Sequence, residues 1–560
     1  MKMRSLDQLI LFLGFFVIPL SFSFYFRDLY ISPKWAVFSL LALLAGLRLL
    51  ARKEIILPLF PKPMVIAGLV LVGALLVNFF VHRHFILEQV HSERIFFVVM
   101  LIFFFNYCKK FPDSLTEIAY YSERGVLLFH VFAYSELLYG SPLFLASPQI
   151  MAGPFGNINM SAEYVGICFV FQLYLLSLAN RSPREQAISS IAAALSLAYI
   201  YFSVCRSVSL GIFSALVLLF LWKQAPPIKK ICFISMGALL LIASATYFLG
   251  PPTGVGWMHR ENSAAPGVLA SGANLLVTSK APSSSQRLRL LSDALDLWVD
   301  HPFGVGTSNY EYAILAYDQR SVFPAFWEQW TQSTPHSTLL LWGCEEGIQV
   351  VIPGLLLLLS MLWYARKNFF SPGSSALAYC YAALVVLIVQ NLFQFPMAMA
   401  FSYLSTAMVG AYILASHVPA YYGATTIFIL RGREKRLALL GLALLSLSSF
   451  GLTLAKILAF EAEESKSWSL LACRLSPANL DACRNLIGHY FDDGQVARAR
   501  EEILKIANAR RNNFLLEKDL AYSYHLENKH EEECNLLFHY DDIFVQQSSI
   551  HLFLLGHCQG

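Results

Sequence analysis

Residues 286–310, QRLRLLSDALDLWVDHPFGVGTSNY, and residues 335–347, PHSTLLLWGCEEG, decide how this chain is organised. The residues before them, from about position 251, are too polar to lie in lipid, whereas those from position 339 onward are apolar enough to enter it. The stretch therefore predicts a water-facing edge of a membrane domain. Three polar side chains are predicted to lie on that edge: Arg287, Arg289 and His336.

The composition of the 560-residue chain is that of a membrane protein. Apolar residues make up 56% and charged residues 14% of it, and the mean hydropathy is +0.54. A soluble domain carries roughly 25% charged residues. The net charge of +4 is spread over loops, and the interleaved basic and aromatic residues of a nucleic-acid groove are missing. Lys2 and Arg4 precede an apolar segment that lacks a small-residue cleavage site, which indicates an uncleaved first helix.

Segments of about 20 apolar residues can cross the bilayer core. Thirteen such segments predict an all-α polytopic protein with about 12–13 transmembrane helices: 8–26, 35–51, 64–81, 94–107, 124–140, 161–179, 187–204, 207–222, 230–249, 337–364, 375–392, 397–416 and 437–459. Basic residues mark cytoplasmic loops, and every second loop is basic if the N-terminus lies inside. The loop 250–336 and the tail then lie outside. We expect a membrane domain over 1–460 and a soluble domain over 461–560.

The tail repeats itself. Positions recur at a displacement of 34 residues: Leu486, Tyr490, Gly494 and Ile503 correspond to Leu520, Tyr524, Asn528 and Leu537. This period is typical of tetratricopeptide repeats, whose stacked helix pairs usually bind a partner. The alternative is an unrelated amphipathic helical hairpin. Four of the ten cysteines lie in the tail and permit three disulfide connectivities: Cys473, Cys483, Cys534 and Cys558. The other cysteines fall in or beside apolar segments and are predicted to fill space there.

The external segment 153–164, GPFGNINMSAEY, holds the first candidate site residues. Its glycines and the side chains of Asn157 and Asn159 could present hydrogen-bond donors to an anionic or sugar ligand at a helix start. The alternative is a capped turn in which Asn159 or Ser161 satisfies the amides of the next helix. Arg206 lies in a short outer link, where an arginine is either functional or reaches for the membrane interface.

Residues 286–302 predict an amphipathic helix with its apolar residues on one face: Leu288, Leu291, Leu295 and Trp298. Arg287 lies one turn before Leu291, and Arg289 is turned away from it. Guanidinium groups bind phosphate oxygens in pairs and stay charged, so arginines from two loops would suit a diphosphate. The alternative is a solvated pair on a surface helix.

His336 follows a proline and precedes a helix start, where an imidazole could accept a hydroxyl proton at neutral pH. A capping or interface role is the alternative. Three acidic residues of external segments could assist: Glu163, Asp300 and Glu328. Neither cysteines nor histidines occur at metal-ligand spacing, so no metal or other cofactor is predicted.

Four of these pieces together resemble the O-antigen ligase and polymerase family, which also includes bacterial protein O-oligosaccharyltransferases. They are GPFGNINMSAEY, the arginine of the CRS link, RLRLLSDALDLWVDHPFGVG and PHSTLLLWGCEEG. They lie in the family's order, and the resemblance covers roughly residues 153–359. The resemblance implies a GT-C-like fold in the bacterial inner membrane. It also implies a metal-independent, inverting glycosyltransferase that takes a glycan from an undecaprenyl-diphosphate carrier at the outer face.

By motif position, the resemblance implies that Arg206 and Arg287 bind the diphosphate and that His336 lies near the acceptor hydroxyl. Arg289 has no counterpart in the family. The chain departs from the pattern at Leu291, where the family often has tryptophan, and in the extra helix and tail after the usual twelve spans. The acceptor therefore stays open between lipid A core, a polysaccharide and a protein.

Two other functions fit the hydropathy. A flippase or exporter of lipid-linked glycan would share the external arginines, but it would also carry charged residues deep in several spans and pseudo-repeated halves. A non-catalytic scaffold that presents the tail to a protein partner would leave His336 and the arginines unexplained. Reconstituted protein supplied with a glycan on a lipid diphosphate would separate the three functions. An enzyme would transfer the glycan covalently, a flippase would only move the lipid-linked glycan, and a scaffold would do neither.

Overall fold

The computed structural model describes residues 2–22, 31–52, 54–58, 66–74, 92–111, 113–139, 151–203, 205–221, 282–306, 309–314, 334–369, 375–394, 399–421, 427–430, 465–475, 480–509 and 514–541, with single residues at 235, 237, 317, 437, 451 and 558. Almost all of them are helical. Four described helices are long and apolar enough to cross a membrane: Pro33–Ala51, Ile158–Ser177, Pro183–Ser203 and Ala376–Phe393. The prediction of an all-α polytopic membrane protein is confirmed.

The described helices follow one another along the chain with two short strands between them. They are α1 (Lys2–Phe12), α2 (Ile18–Leu20), α3 (Ile31–Ala51), α4 (Ser92–Lys110), α5 (Ser114–Tyr139), α6 (Ile158–Ser177), α7 (Pro183–Ser203), α8 (Arg206–Leu221), α9 (Pro282–Asp300), α10 (Tyr310–Ala313), α11 (Thr338–Glu346), α12 (Ile348–Phe369), α13 (Ser375–Phe393), α14 (Ala400–Tyr421), α15 (Lys466–Leu475), α16 (Leu480–Asp492), α17 (Val496–Ala509), α18 (Phe514–Leu526) and α19 (His530–Asp541). The strands are β1 (Ile55–Pro58) and β2 (Ile427–Leu430). A π-helical turn, Leu13–Val17, joins α1 to α2.

The chain forms two compact units. The first contains Met1–Met64, Glu93–Ser285 and Leu358–Phe450, and the second contains Val65–Ser92, Gln286–Leu357 and Gly451–Gly560. The predicted domain boundary at residue 460 falls outside the described residues. So do half of the predicted span 64–81 and all but single residues of the predicted spans 230–249 and 437–459.

One end of the first unit is fixed by polar contacts between segments that are far apart in sequence. Arg48 near the end of α3 donates to Asp7 of α1 at 2.7 Å, and both side chains are buried. Strand β1 pairs antiparallel with β2, and Asn106 both accepts from the Ile56 N–H at 2.9 Å and donates to its carbonyl at 2.8 Å. These segments all border loops that are predicted to be cytoplasmic, so we name this the inner end.

The core of the first unit surrounds α6, which is buried along most of its length. A methyl group at Gly166 would come within 2.8 Å of Val208 on α8 and 3.2 Å of Gln390 on α13. A small residue is therefore required where the three helices meet, as is common between membrane helices. The ring of Tyr164 lies 4.8 Å from that of Phe401 and 5.7 Å from that of Phe129, so aromatic contacts fill the space around it.

One predicted span is wrong in form. Residues 337–364 were expected to make one helix, but they form α11 and the first part of α12, separated at Gly347. Gly347 has φ +78° and ψ 177°, a backbone conformation that glycine adopts readily and that ends α11. Hydropathy predicts this stretch as continuous because apolar residues lie on both sides of the break.

The tail contains the helices α15 to α19, and two of its turns are alike. After α16, Gly494 has φ +69° and the Gln495 N–H donates to the Tyr490 carbonyl at 2.7 Å. After α18, Asn528 has φ +55° and the Lys529 N–H donates to the Tyr524 carbonyl at 3.0 Å. Both are Schellman turns, and Gly494 and Asn528 are 34 positions apart (528 − 494 = 34). Both turns therefore have the predicted spacing, while the tetratricopeptide assignment itself stays a prediction.

Two disulfides join the four tail cysteines. Cys473 pairs with Cys483, and Cys534 pairs with Cys558. This is one of the three connectivities that the sequence left open. The first disulfide links α15 to α16 beside a buried cluster that includes Leu486, Ile503 and Leu516. Outside the tail, the cysteines that the structure describes are buried and form no disulfide, as expected for residues that fill space: Cys108, Cys168, Cys205, Cys344 and Cys380.

Candidate functional site

The candidate residues Asn157 and Asn159 lie at the start of α6. Asn157 is the N-cap of this helix, because its Oδ1 accepts from the Asn159 N–H at 2.9 Å and the Met160 N–H at 3.4 Å. The sequence offered Asn159 or Ser161 for this capping role, and the structure gives it to Asn157. Ser161 instead donates to the Ala152 carbonyl at 2.6 Å. Both asparagine side chains are half-buried.

The turn before α6 is held by buried side chains that sequence reasoning missed. Lys34 donates from Nζ to the Pro154 carbonyl at 2.5 Å. Glu136 accepts from the Gly153 N–H at 3.0 Å, and Tyr199 donates to the Met151 carbonyl at 2.7 Å. The sequence did hold a signal for Lys34 and Glu136, since a charged residue within or beside an apolar segment is costly unless it is paired or functional. Each of them binds a backbone group of the turn, however, and such a contact cannot be predicted from the sequence.

Arg206 is the first residue of α8 and its side chain is exposed, while Cys205 and Ser207 on either side of it are buried. The link that carries Arg206 begins where α7 ends at Ser203. Tyr199, one turn earlier, binds the turn before α6. Arg206 and the turn before α6 therefore lie at the same end of the first unit, which we name the outer end.

The second unit holds Arg287, Arg289 and His336. Arg287 and Arg289 belong to α9, where Arg289 is half-buried. The side chain of Arg287 lies outside the described part of the structure.

The predicted apolar face of α9 is wrong in part, since Trp298 packs against the buried cluster as expected but two of the leucines do not. Leu288 is 59% and Leu295 46% exposed, whereas Leu290, Ala294 and Leu297 are buried. The buried side chains pack with Tyr310, Ile314 and Cys344. Helix α9 carries leucines on two faces, so the buried residues and the predicted residues both recur at helical spacing. The spacing alone therefore does not show which face is buried. Contact with α11, which is distant in sequence, selects the face.

The motifs HPFGVG and GCEEG form one interlocked structure in the second unit. The Val305 N–H donates to the Cys344 carbonyl at 2.8 Å, and the Ile348 N–H donates to the Pro302 carbonyl at 2.9 Å. Gly304 has φ +84°, and a methyl group there would lie 2.4 Å from the Glu345 oxygen. The glycines are therefore required by close backbone approach. The interlock fixes the end of α9 against the end of α11.

His336 lies immediately before α11. Ser337 is the N-cap of α11 and accepts from the Leu340 N–H at 3.4 Å, so the capping role belongs to Ser337 and not to the histidine. His336 is half-buried and has φ +54°. A left-handed conformation is uncommon for a residue other than glycine, and such backbone strain clusters at functional sites.

The three acidic residues that were expected to assist the reaction, Glu163, Asp300 and Glu328, differ in their surroundings. Asp300 accepts from the Tyr317 hydroxyl at 2.9 Å. Burial, together with this hydrogen bond, raises the pKa of Tyr317 to about 12, so the phenol stays protonated and continues to donate. Glu163 is buried in α6, and Glu328 lies outside the described residues.

The candidate residues are thus divided between the units. Asn157, Asn159 and Arg206 lie at the outer end of the first unit, and Arg287, Arg289 and His336 lie in the second, where the interlocked motifs join α9 to α11.

Comparison with known proteins gives one family. No curated protein matches the chain. A family model described as O-antigen ligase matches residues 191–359. The matched segment includes Arg206, Arg287, His336 and both interlocked motifs, whereas Asn157 and Asn159 precede it. The segment 191–359 is therefore similar to the O-antigen ligase family.

Proposed function

We propose that the chain transfers a glycan from undecaprenyl diphosphate to an acceptor hydroxyl at the outer face of the bacterial inner membrane. The observation that carries this proposal is the O-antigen ligase match over residues 191–359, which contains the positions of both candidate arginines and of His336. An enzyme of this kind is a multi-pass membrane protein, in agreement with the fold described above.

Arg206 and Arg287 are proposed to bind the diphosphate of the donor. Guanidinium groups remain charged and donate two parallel hydrogen bonds to phosphate oxygens. Arg206 is exposed at the N-terminus of α8, where the backbone amides add a partial positive charge. Fixed positive charge stabilises the leaving diphosphate as its charge develops, so the arginines can serve this purpose in a metal-independent reaction. Asn157 and Asn159 are proposed to contact the glycan.

His336 is proposed to accept the proton of the acceptor hydroxyl. The hydroxyl oxygen attacks the anomeric carbon of the glycan, the bond from that carbon to the phosphate oxygen breaks, and undecaprenyl diphosphate leaves. A single displacement of this kind inverts the configuration at the anomeric carbon. Two observations support this role: His336 precedes the start of α11, and its backbone has a left-handed conformation that is uncommon outside glycine. An acid–base group contributes about 10²- to 10⁴-fold to a rate.

The tail is proposed to lie in the periplasm. Its two disulfides support this location, since disulfides persist in oxidising compartments such as the periplasm. Its 34-residue spacing supports stacked helix pairs that bind a protein partner or an acceptor. The acceptor is lipid A core, a growing polysaccharide or a protein.

Comparison of a deletion strain with the same strain carrying the wild-type or the His336→Asn chain tests the proposal. We expect one glycosylated species to disappear on deletion and to return only with the wild-type chain, and its identity names the acceptor. If lipid-linked glycan instead accumulates on the cytoplasmic side of the deletion strain, the chain moves the donor and does not transfer it, which is the flippase alternative. Full return of the product with His336→Asn would contradict the role of the histidine.

A further inference from the structure

The turn before α6 is fixed by two buried ions of opposite charge. Lys34 on α3 is 3% exposed and Glu136 on α5 is 0% exposed. Lys34 donates to the Pro154 carbonyl at 2.5 Å, and Glu136 accepts from the Gly153 N–H at 3.0 Å. The two side chains therefore bind adjacent residues of one turn.

Lys34 binds more than the turn. Its ammonium also donates to the Ser21 carbonyl at 2.7 Å and lies 4.7 Å from the centre of the Phe155 ring. It thus joins the end of α2, the start of α3 and the turn before α6. Since burial of charged groups is expensive, and the Asn157 side chain already caps the start of α6, a capped turn alone does not require these ions.

The fixed turn is connected to the link that carries Arg206. Tyr199 donates to the Met151 carbonyl at 2.7 Å, and α7 ends one turn later at Ser203. Cys205 is buried immediately before Arg206. Displacement of the turn would therefore shift the end of α7 and, with it, the position of Arg206.

We propose that Lys34 and Glu136 are positioning residues for the lipid diphosphate, because they fix the turn at 151–157 and, through Tyr199, the link that carries Arg206. This inference rests on the proposed function of Arg206. Misplacement of a binding group by about 1 Å can reduce a rate on the order of 10²-fold, so loss of either ion is expected to affect binding even in protein that stays folded.

The first unit offers a matched control for loss of a buried charge. Arg48 and Asp7 form a buried ion pair at the inner end, with 2.7 Å between Nε and Oδ1. Arg48→Met removes a buried cation at the opposite end from Arg206. It should lower stability as Lys34→Met does without moving the turn.

The test uses the full-length protein in nanodiscs with the variants Lys34→Met, Glu136→Gln, their combination, and Arg48→Met. Two quantities are measured: hydrogen exchange of the backbone at 151–157 and the affinity for undecaprenyl diphosphate. We expect Lys34→Met and Glu136→Gln each to raise exchange in this segment and to weaken binding by about 10-fold or more. Arg48→Met should change neither quantity. The double variant should bind no better than either single variant.

Three results would overturn the inference: wild-type binding by Lys34→Met, equal weakening by Arg48→Met, or recovery of binding in the double variant. These are distinct from failure of the proposed function. If wild-type protein does not bind undecaprenyl diphosphate, the proposed donor is wrong and the positioning role falls with it. If wild-type protein binds and Lys34→Met binds equally well, only the positioning role is lost.

Discussion

The N–H of Gly306 donates to the carbonyl oxygen of Glu345 at 2.9 Å. This bond belongs to the interlock that fixes the turn after α9 to the end of α11. The two motifs are about 40 residues apart in sequence, and their glycines are explained by one contact between backbones. The interlock also holds the helix of Arg289 and the helix that begins beside His336 in one arrangement.

Replacement of Gly304 tests the interlock. Gly304→Ala places a methyl group 2.4 Å from the Glu345 oxygen at a residue with φ +84°. The left-handed conformation alone costs about 1–2 kcal/mol for alanine, so a clear fall in the thermal midpoint of the purified protein is expected. Gly354→Ala is the control, since a methyl group there meets nothing within 4 Å. Equal midpoints for Gly304→Ala and wild type would show that the turn yields without loss.

Replacement of His336 distinguishes the contribution of its backbone conformation from that of its imidazole. Asparagine tolerates a left-handed conformation better than alanine does, so His336→Asn should preserve the start of α11 and lose the proton acceptor. Glycan transfer is expected to fall by about 10²-fold or more, with an unchanged thermal midpoint. His336→Ala should lose as much transfer and some stability. Near-normal turnover by His336→Asn would remove the proposed role.

The arginines are predicted to act on the donor. Lysine keeps the charge but loses the paired hydrogen bonds, so Arg206→Lys and Arg287→Lys should each weaken the binding of undecaprenyl diphosphate. Arg289→Lys is the control within α9 and should bind normally. Titration of each variant with undecaprenyl diphosphate measures the effect. Unchanged affinity in both the lysine and the alanine variants would assign Arg206 and Arg287 to the fold or to the membrane interface.

The disulfide between α15 and α16 should stabilise the tail. Cys473 and Cys483 enclose a short loop, and the loss of a native disulfide typically costs about 2–4 kcal/mol. We expect the double serine variant to be cut faster within the tail by protease, while donor binding stays normal. A digestion rate equal to that of the wild type would mean that helix packing alone holds the tail.

Removal of the tail tests what it contributes. A chain truncated after residue 460 should insert and bind lipid-linked donor, because the proposed donor-binding residues precede that position. Transfer to the natural acceptor should fall, since the tail is proposed to bind a partner or acceptor. A full rate of transfer would make the tail dispensable, and loss of donor binding would contradict the predicted division at residue 460.

The sequence predicts the membrane helices among the described residues well. Ile158–Ser177 and Arg206–Leu221 lie within a few residues of the expected segments, because a chain in lipid must satisfy its own backbone hydrogen bonds. Contacts between distant segments are not predicted in this way. The break at Gly347 and the buried face of α9 both depend on the interlock between the two motifs.

The roles of the candidate site residues stay predictions. Motif order leads to Arg206, Arg287 and His336, and all three fall within the matched segment 191–359. Lys34 and Glu136 are not predicted, because each is a single charged residue near an apolar segment and binds a backbone atom. Only the folded chain brings them to the same turn.

Reconstitution of the full-length protein with a labelled glycan on undecaprenyl diphosphate tests the central claim most directly. The label should move covalently to an acceptor hydroxyl, with one undecaprenyl diphosphate released for each glycan transferred, and His336→Asn should slow both by about 10²-fold. Passage of intact donor across the bilayer, without label in the acceptor and without released undecaprenyl diphosphate, would contradict the account.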